Sequence, residues 1–454
     1  MHRWLVWNVL FRLQEKIKGH PTLRILREME MADRMSPAAL AEAQRQRLSE
    51  FIGYCHTHVP YVRDLMKQLG IRPEEIQGPE DLRRFPVMTK AAIRNHRAQL
   101  RSENARNLTA RATGGSTGDP LIFDVSRRRI ASQVACRQRV SRWWGLSVGD
   151  AEIALWGSPV ETSRQDRIRD LRDRMMATRL LPAFEMNEAA MSGYLDILQA
   201  QGCRQIFAYP SAIYLLCLHA RKQNRPLRNA RVRTVFVTGE VLYPHQRELI
   251  SEVLGCPVAN GYGGRDSGFI AHECPNGEMH IMADAVIVEL LDAQGRPAAP
   301  GESGEIVVTD LYSHEAPFLR YATGDMAVAA DRPCACGRPL PLIERIEGRA
   351  NDTVITPDGR VINSLALIYP VREIEGVEQF RIRQKQPDRF EVQLVRNRSF
   401  PPDAEGRIVT AWSLLLRAPV QVSFEYPAEL TAERSGKFRH VISDLTSVQP
   451  ARSS

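Results

Sequence analysis

No stretch of this 454-residue chain approaches the run of about 18 apolar residues that a membrane-spanning helix needs, so no span is expected. There is no long Lys/Arg block, no helix-turn-helix signal and no RNP-like aromatic motif. Nucleic acid is therefore not an expected partner, although a net charge of +8 suits nucleic acid, anionic lipid and polyphosphate alike. The apolar start Trp4–Phe11 is short, and Arg12, Glu15, Lys16 and Lys18 follow it with no small-residue cleavage site. A signal peptide is not expected. Residues 4–18 are read as packing on the main body, in preference to lying on a membrane surface. The eight cysteines, at positions 55, 136, 203, 217, 256, 274, 334 and 336, include no C-x-x-C pair. Most sit singly in apolar surroundings, so a disulfide framework is not expected and the cytoplasm is the expected compartment. Internal repeats and low-complexity segments are also absent.

What is there has a clear order. Residues 22–105 read as helices, with apolar positions such as Leu40, Leu48, Phe51 and Ile52 at helical spacing and prolines between them. From about residue 150, strand-like runs at 151–156, 205–208 and 232–238 alternate with helical stretches at 211–222 and 244–254. That alternation predicts βαβ units and mostly parallel sheets. Residues 279–330 are β-rich, with Gly/Pro turns. After Gly348-Arg349 the texture becomes compact α+β. The chain thus reads as α/β, with a large multi-layer N-terminal domain (1–348, helical over 1–105) that includes a β-rich subdomain. A small C-terminal domain (349–454) follows, and residues 446–454 read as frayed.

Four motifs carry chemistry. Residues 109–120 read Thr-Ala-Arg-Ala-Thr-Gly-Gly-Ser-Thr-Gly-Asp-Pro. Gly114, Gly115 and Gly118 permit tight turns, Thr113, Ser116 and Thr117 add hydroxyls, and such a loop can wrap a phosphate with backbone N–H groups. It lacks the Gly-Lys-[ST] of a Walker A loop, so its positive charge must come from elsewhere. Asn260-Gly-Tyr-Gly-Gly-Arg-Asp266 places Tyr262 among glycines, including Gly263, as a stacking surface. Asp266 offers a hard oxygen ligand suited to Mg²⁺ shared with phosphates. In Arg320-Tyr-Ala-Thr-Gly-Asp325 the carboxylate is placed at a strand–turn junction, where it can accept from a ribose diol. Arg434-Ser-Gly-Lys437 puts a lysine on a glycine turn, able to meet developing negative charge.

In this order, the four motifs resemble the adenylate-forming ligase superfamily. The likeness is greatest to its phenylacetate–CoA ligase-like branch and to the subset associated with capsular polysaccharide biosynthesis. Further matching segments are Val59-Pro-Tyr-Val, Phe85-Pro-Val-Met-Thr-Lys90, Tyr209-Pro-Ser211, Gly239-Glu240, Phe269-Ile-Ala-His-Glu-Cys274 and Gly376-Val-Glu-Gln-Phe-Arg-Ile. The resemblance spans roughly residues 40–445. It implies that a carboxylate attacks the α-phosphate of ATP, pyrophosphate leaves, and a thiol, that of coenzyme A, takes the acyl group. On this likeness Thr113, Gly114, Gly115, Ser116, Thr117 and Gly118 hold the β/γ-phosphates. Tyr262 lies against the adenine, with Gly239 and Glu240 lining that pocket. Asp266 binds Mg²⁺, Asp325 the ribose hydroxyls, and Arg349 the ribose or phosphate. Lys437 bridges the carboxylate and α-phosphate. The small domain is then mobile, with Asp352 as a pivot.

Other readings are an amide ligase, an adenylyltransferase, or a non-catalytic nucleotide-binding or basic nucleic-acid-binding protein. A homodimer is compatible with the family. Two departures stand out. Asp266 replaces the usual glutamate, and the stretch after Asp352 lacks the phenylacetate-ligase form Arg-Gly-x-Asn-Val-Phe, which leaves acceptors other than coenzyme A open. Cys274 and His280 flank a Pro-Asn-Gly turn, and Cys334-Ala-Cys336 lies on another. With the resemblance, these four form the expected structural Zn²⁺ site, with His272 in reserve. Cys55-His56-Thr-His58 reads as plain helix. Trp156, Tyr209, Pro210 and Gly239 fall at strand ends and are the expected acyl-pocket lining.

Overall fold

The computed structural model describes residues 3–113, 121–157, 172–183, 186–228, 231–292, 294–349, 353–363, 365–431 and 440–445. These fall into two compact units, one built from residues up to Arg345 and one from Ile346 onward, with Gly324–Met326 grouped with the second. Among the described residues no helix is long and apolar enough to cross a membrane.

The first unit begins with helices. Pro37–His58 starts where Ser36 accepts from the Ala39 N–H at 3.2 Å and Pro37 presets φ. Its inner face, Leu48, Phe51, Ile52 and Cys55, packs with Val62, Met66, Phe85 and Tyr321 in one buried cluster. β1 (Thr109–Ala112) and β2 (Ile122–Val125) then form an antiparallel pair.

An eleven-stranded sheet carries the rest of this unit. Its parallel part is β3 (Glu152–Trp156), β4 (Thr178–Pro182), β5 (Gln205–Ala208), β6 (Thr234–Thr238) and β7 (Val258–Gly264). β5 and β6 are apolar and almost wholly buried, as strands covered on both faces must be. Helices Pro210–Lys222 and Pro244–Leu254 cover them through Ile213, Leu216, Leu249 and Ile250.

The β-rich stretch continues in the same sheet as β8 (Gly268–Glu273), β9 (Met279–Ile281), β10 (Val286–Leu291), β11 (Ser303–Asp310), β12 (Tyr321–Ala330) and β13 (Leu342–Arg349). The order across the sheet is 10-11-12-13-9-8-7-6-5-3-4. The change from parallel to antiparallel falls at β7–β8, where a three-residue turn replaces a helical crossover.

In the second unit β14 (Thr353–Ile355) and β15 (Val361–Asn363) make a hairpin. A four-stranded sheet has the order 18-17-16-19, from β16 (Val377–Gln386), β17 (Arg389–Arg396), β18 (Gln421–Glu425) and β19 (Val441–Ser443). Helix Ala404–Leu416 buries Trp412 against Phe390.

Candidate active site and cysteine–histidine cluster

The β7–β8 hairpin exists because of its glycines. A Cβ on Gly263 would lie 2.2 Å from the Gly268 carbonyl oxygen, and one on Gly261 would lie 2.7 Å from the His272 ring. The sequence reading takes Tyr262 among these glycines as a stacking surface. The structure assigns Gly261 and Gly263 to the close approach of β8, with a register shift between Tyr262 and Gly263. The strand therefore runs on through the glycines to Gly264.

The hairpin turn presents Asp266. Its Oδ2 accepts from the Tyr321 hydroxyl at 2.5 Å, and its Oδ1 accepts from the Ser267 N–H at 3.1 Å. Its carbonyl oxygen takes the Arg129 guanidinium. Arg129 is fully buried, donates from Nε to Asp310 Oδ2 at 2.7 Å, and lies 4.2 Å from the Phe318 ring centre. Asp310 in turn accepts from the Tyr312 N–H at 2.9 Å. Asp266 is thus held from three sides, while a carboxylate offers about four lone-pair sites. Two are used, so the donor set still fits a hard cation.

Tyr321 is placed by the Phe85–Lys90 segment. Met88 donates its N–H to Arg320 O at 2.8 Å and accepts from the Ala322 N–H at 2.9 Å. Arg320, read from sequence only as part of its motif, is buried in a two-point pair with Glu289 at 2.9 Å. Beside it, Thr323 Oγ1 accepts from the Tyr262 hydroxyl at 3.4 Å and donates to Ile306 O at 2.9 Å. Two motifs some fifty residues apart therefore meet, Tyr262 on Thr323 and Asp266 on Tyr321.

Thr113 closes the base of the glycine-rich loop. Its N–H donates to Leu121 O at 3.0 Å, and its Oγ1 accepts from the Leu121 N–H at 2.9 Å. Gly114, Gly115, Ser116, Thr117 and Gly118 lie outside the described residues, as do Asp352 and Lys437. Arg349 is the last residue of β13. Asp325 corrects an expectation: it stands within β12, not at a strand–turn junction. The preceding Gly324, with φ of +79°, lets the strand bend there without ending.

Three of the expected acyl-pocket residues are together. Trp156 and Tyr209 stack with centres 3.9 Å apart, and a Cβ on Gly239 would lie 3.1 Å from the Tyr209 ring. Pro210 is buried as the first residue of the following helix. Glu240 accepts from the Ser211 N–H at 3.0 Å, at the start of that same helix. Burial, and then the Glu240 charge, push the Tyr209 hydroxyl pKa above its usual value.

Cys274, His280, Cys334 and Cys336 bring one ligand atom each within 4.8 Å of one another. Cys274 and Cys334 Sγ are 3.7 Å apart, and Cys336 Sγ is 3.2 Å from His280 Nε2. Tetrahedral zinc with Zn–S of about 2.3 Å requires sulfurs about 3.8 Å apart, so the geometry fits. His280 Nδ1 lies 3.1 Å from Leu340 O, which leaves Nε2 as the ligand atom. His272, held in reserve on sequence, is not in this cluster. Its ring lies against Phe269 and Phe236, with Nδ1 at 3.1 Å from Glu273 O, and burial drives its pKa to about 4.

Sequence reasoning missed Tyr321, Arg129 and Asp310 as site residues. Tyr321 lies inside a motif already singled out and was within reach. Arg129 and Asp310 are 181 positions apart, with no local signal joining them.

Residues 354–444 match the family model for the CapK C-terminal domain. Protein CapK of Staphylococcus aureus is 22% identical over 339 residues, covering 74% of each chain. The phenylacetate-coenzyme A ligase of Thermus thermophilus is 26% identical over 350 residues, 74% of this chain and 75% of that one. This chain is a homologue of CapK and of the phenylacetate-coenzyme A ligases. Its fold is that of the adenylate-forming ligases: 2-hydroxyisobutyryl-CoA ligase in the postadenylation state, in complex with R3-HIB-AMP, superimposes with a TM-score of 0.76 at 20% identity. That match covers 91% of both chains.

Proposed function

We propose that the protein activates a carboxylic acid with ATP to an acyl-adenylate and then transfers the acyl group to the thiol of coenzyme A. The observation that carries this reading is the joining of the Tyr-Gly-Gly-Arg-Asp hairpin to the Arg-Tyr-Ala-Thr-Gly-Asp strand through Asp266–Tyr321 and Tyr262–Thr323. Asp266, held by Tyr321 and through its carbonyl by Arg129, is the residue that would hold Mg²⁺. That ion, when bound, offsets the charge of the polyphosphate. Thr113 and the loop that follows it are assigned to the phosphates, Tyr262 to the adenine face and Asp325 to the ribose. Lys437 is assigned to the carboxylate and α-phosphate as charge develops between them. Attack at phosphorus needs positioning and charge neutralisation more than covalent help, which suits a site without a protein nucleophile. The paired rings of Trp156 and Tyr209 form an apolar wall for the acid. Cys274, His280, Cys334 and Cys336 are assigned to one structural Zn²⁺.

The test is pyrophosphate release with ATP, Mg²⁺ and a panel of carboxylic acids, with and without coenzyme A. Acid-dependent release of AMP and pyrophosphate supports the reading, and its absence across aromatic, aliphatic and hydroxy acids overturns it. A second reading, with an amine as acceptor, is favoured by the β14–β15 hairpin, which lacks the phenylacetate-ligase form Arg-Gly-x-Asn-Val-Phe. Product formation with amines and none with coenzyme A would select it.

A further inference from the structure

The helical stretch made of Arg3–Leu5, the π-helical Val6–Phe11 and Arg12–Lys18 has two faces of opposite character. The inner face is fastened. Val6 and Phe11 are buried, and Arg3 pairs with Asp150 at 3.4 Å. Arg142 lies 4.4 Å from the centre of the Trp7 ring. Glu15, the one acidic residue of the stretch, is buried and engaged by Thr22, by His20 at 3.2 Å and by Lys18 at 3.7 Å. This much agrees with packing on the main body.

The outer face is different. Trp4, Leu5, Val9, Leu13 and Ile17 are exposed, Ile17 to 76%, Trp4 to 62% and Leu13 to 53%. They are five of the eleven large hydrophobic residues exposed among the described residues, gathered on one stretch of sixteen. Leu5, Val9, Leu13 and Ile17 follow at intervals of four, so they form one stripe. Arg12 and Lys16 are exposed beside them, and no exposed acid interrupts the face.

We propose that this face docks on the surface of an anionic lipid bilayer. An apolar stripe bearing Trp and flanked by cations is the composition that lies in a lipid headgroup region. The charges choose the lipid. With Glu15 turned inward and neutralised, the face presents only positive charge, which an anionic surface attracts. A second copy of the same face would set like charges against each other across a two-fold axis. The fastened inner side holds the stripe in place, so docking does not require the helix to leave the body. The proposal is independent of the ligase reading.

The test is co-sedimentation of the full chain with phosphatidylcholine–phosphatidylglycerol vesicles and with pure phosphatidylcholine vesicles, at low and high salt. Binding to the mixed vesicles alone, weakened by salt, is expected. Arg12→Ala and Lys16→Ala should each lower the partition about fivefold. Leu13→Glu combined with Ile17→Glu should lower it at least about tenfold, with an unchanged melting temperature, because both side chains are exposed. No preference for the anionic vesicles, or binding indifferent to all four substitutions, overturns the proposal. So does a dimer in solution that the Leu13/Ile17 variant dissolves while the parent ignores vesicles.

Discussion

Gly263→Ala tests the site where its geometry is tightest. The new Cβ would stand 2.2 Å from the carbonyl oxygen of Gly268 and 3.3 Å from the Phe269 Cα. Both are backbone atoms of the paired strand, so no rotamer relieves the clash. The strands must part by about 1 Å to restore an ordinary contact. Gly263 pairs with Phe269 and Gly264 with Gly268, and these are the last pairings before the turn. Losing them, at about 0.5–1.5 kcal/mol for each hydrogen bond, together with the strain, destabilises the unit by about 2–4 kcal/mol. The same displacement carries the turn, and with it Asp266, away from the Tyr321 hydroxyl. A misplacement of about 1 Å in such a site lowers the rate by about 10²-fold. Acid-dependent pyrophosphate release and thermal unfolding should therefore both fall. Gly295→Ala is the control. Gly295 has φ of +76° in a turn with nothing near its missing Cβ, so about 1 kcal/mol and full activity are expected. A Gly263→Ala protein with parental rate and melting temperature would refute the reasoning, as would equal damage from Gly295→Ala.

Purified protein should contain close to one equivalent of zinc, and Cys336→Ser should lower the metal affinity at least about tenfold and the melting temperature with it. Metal content that Cys336→Ser leaves unchanged would count against the cluster. Lys437→Ala should slow adenylation by about 10²–10³-fold while leaving ATP affinity within a small factor, and equal loss of both would make the lysine structural. His314 is buried against Phe51 and Tyr54, and burial first, then the Arg128 charge, lower its pKa to about 3. The folded state therefore binds fewer protons than the unfolded state, and stability is lost as pH falls below the unfolded value of about 6.5. Between pH 7 and pH 5 the loss from this residue is about 2 kcal/mol, at roughly 1.4 kcal/mol per pH unit. His314→Gln should flatten the stability–pH curve by that amount, and parallel curves for the two proteins would sink the assignment.

Much of the site was legible because its chemistry sits in short motifs. Cys274 and His280 flank a turn of Pro, Asn and Gly, and the turn does bring them together with Cys334 and Cys336. Strand and helix bounds such as Val286–Leu291 and Pro244–Leu254 follow from runs of apolar residues between Gly and Pro. Misreadings arose where a residue's role depends on a distant neighbour. That Gly261 and Gly263 also admit the close approach of β8 shows only once the two strands are laid side by side. Asp325 looks like a turn residue because Gly324 precedes it, but it stands within β12. His272 looks like a ligand by its spacing from Cys274, but Phe236 and Phe269 take its ring. Residues 4–18 read from sequence as packed on the body in preference to a membrane surface, and only the folded body shows which side of that helix is left over.

The cysteine–histidine cluster and Asp266 belong to one mechanical argument. Cys274 follows β8 directly, His280 lies in β9, and Cys334 and Cys336 lie between β12 and β13. A tetrahedral ion there would tie together the far ends of strands whose near end presents Asp266. β8 spans six residues, about 20 Å at roughly 3.3 Å each, so the ion would lie too far from Asp266 to touch a nucleotide held there. All four of its ligand positions would be filled by protein, which would leave none for a substrate. The antiparallel half of the sheet lacks the helical crossovers that brace β3 to β7. The hairpin that carries Asp266 emerges where that bracing stops. A closed metal site at the base of β8 and β9 would supply the missing constraint, and the buried Arg129–Asp310 pair supplies one at the tip. The carboxylate proposed for the magnesium-bound phosphates would thus be fixed from both ends of one strand.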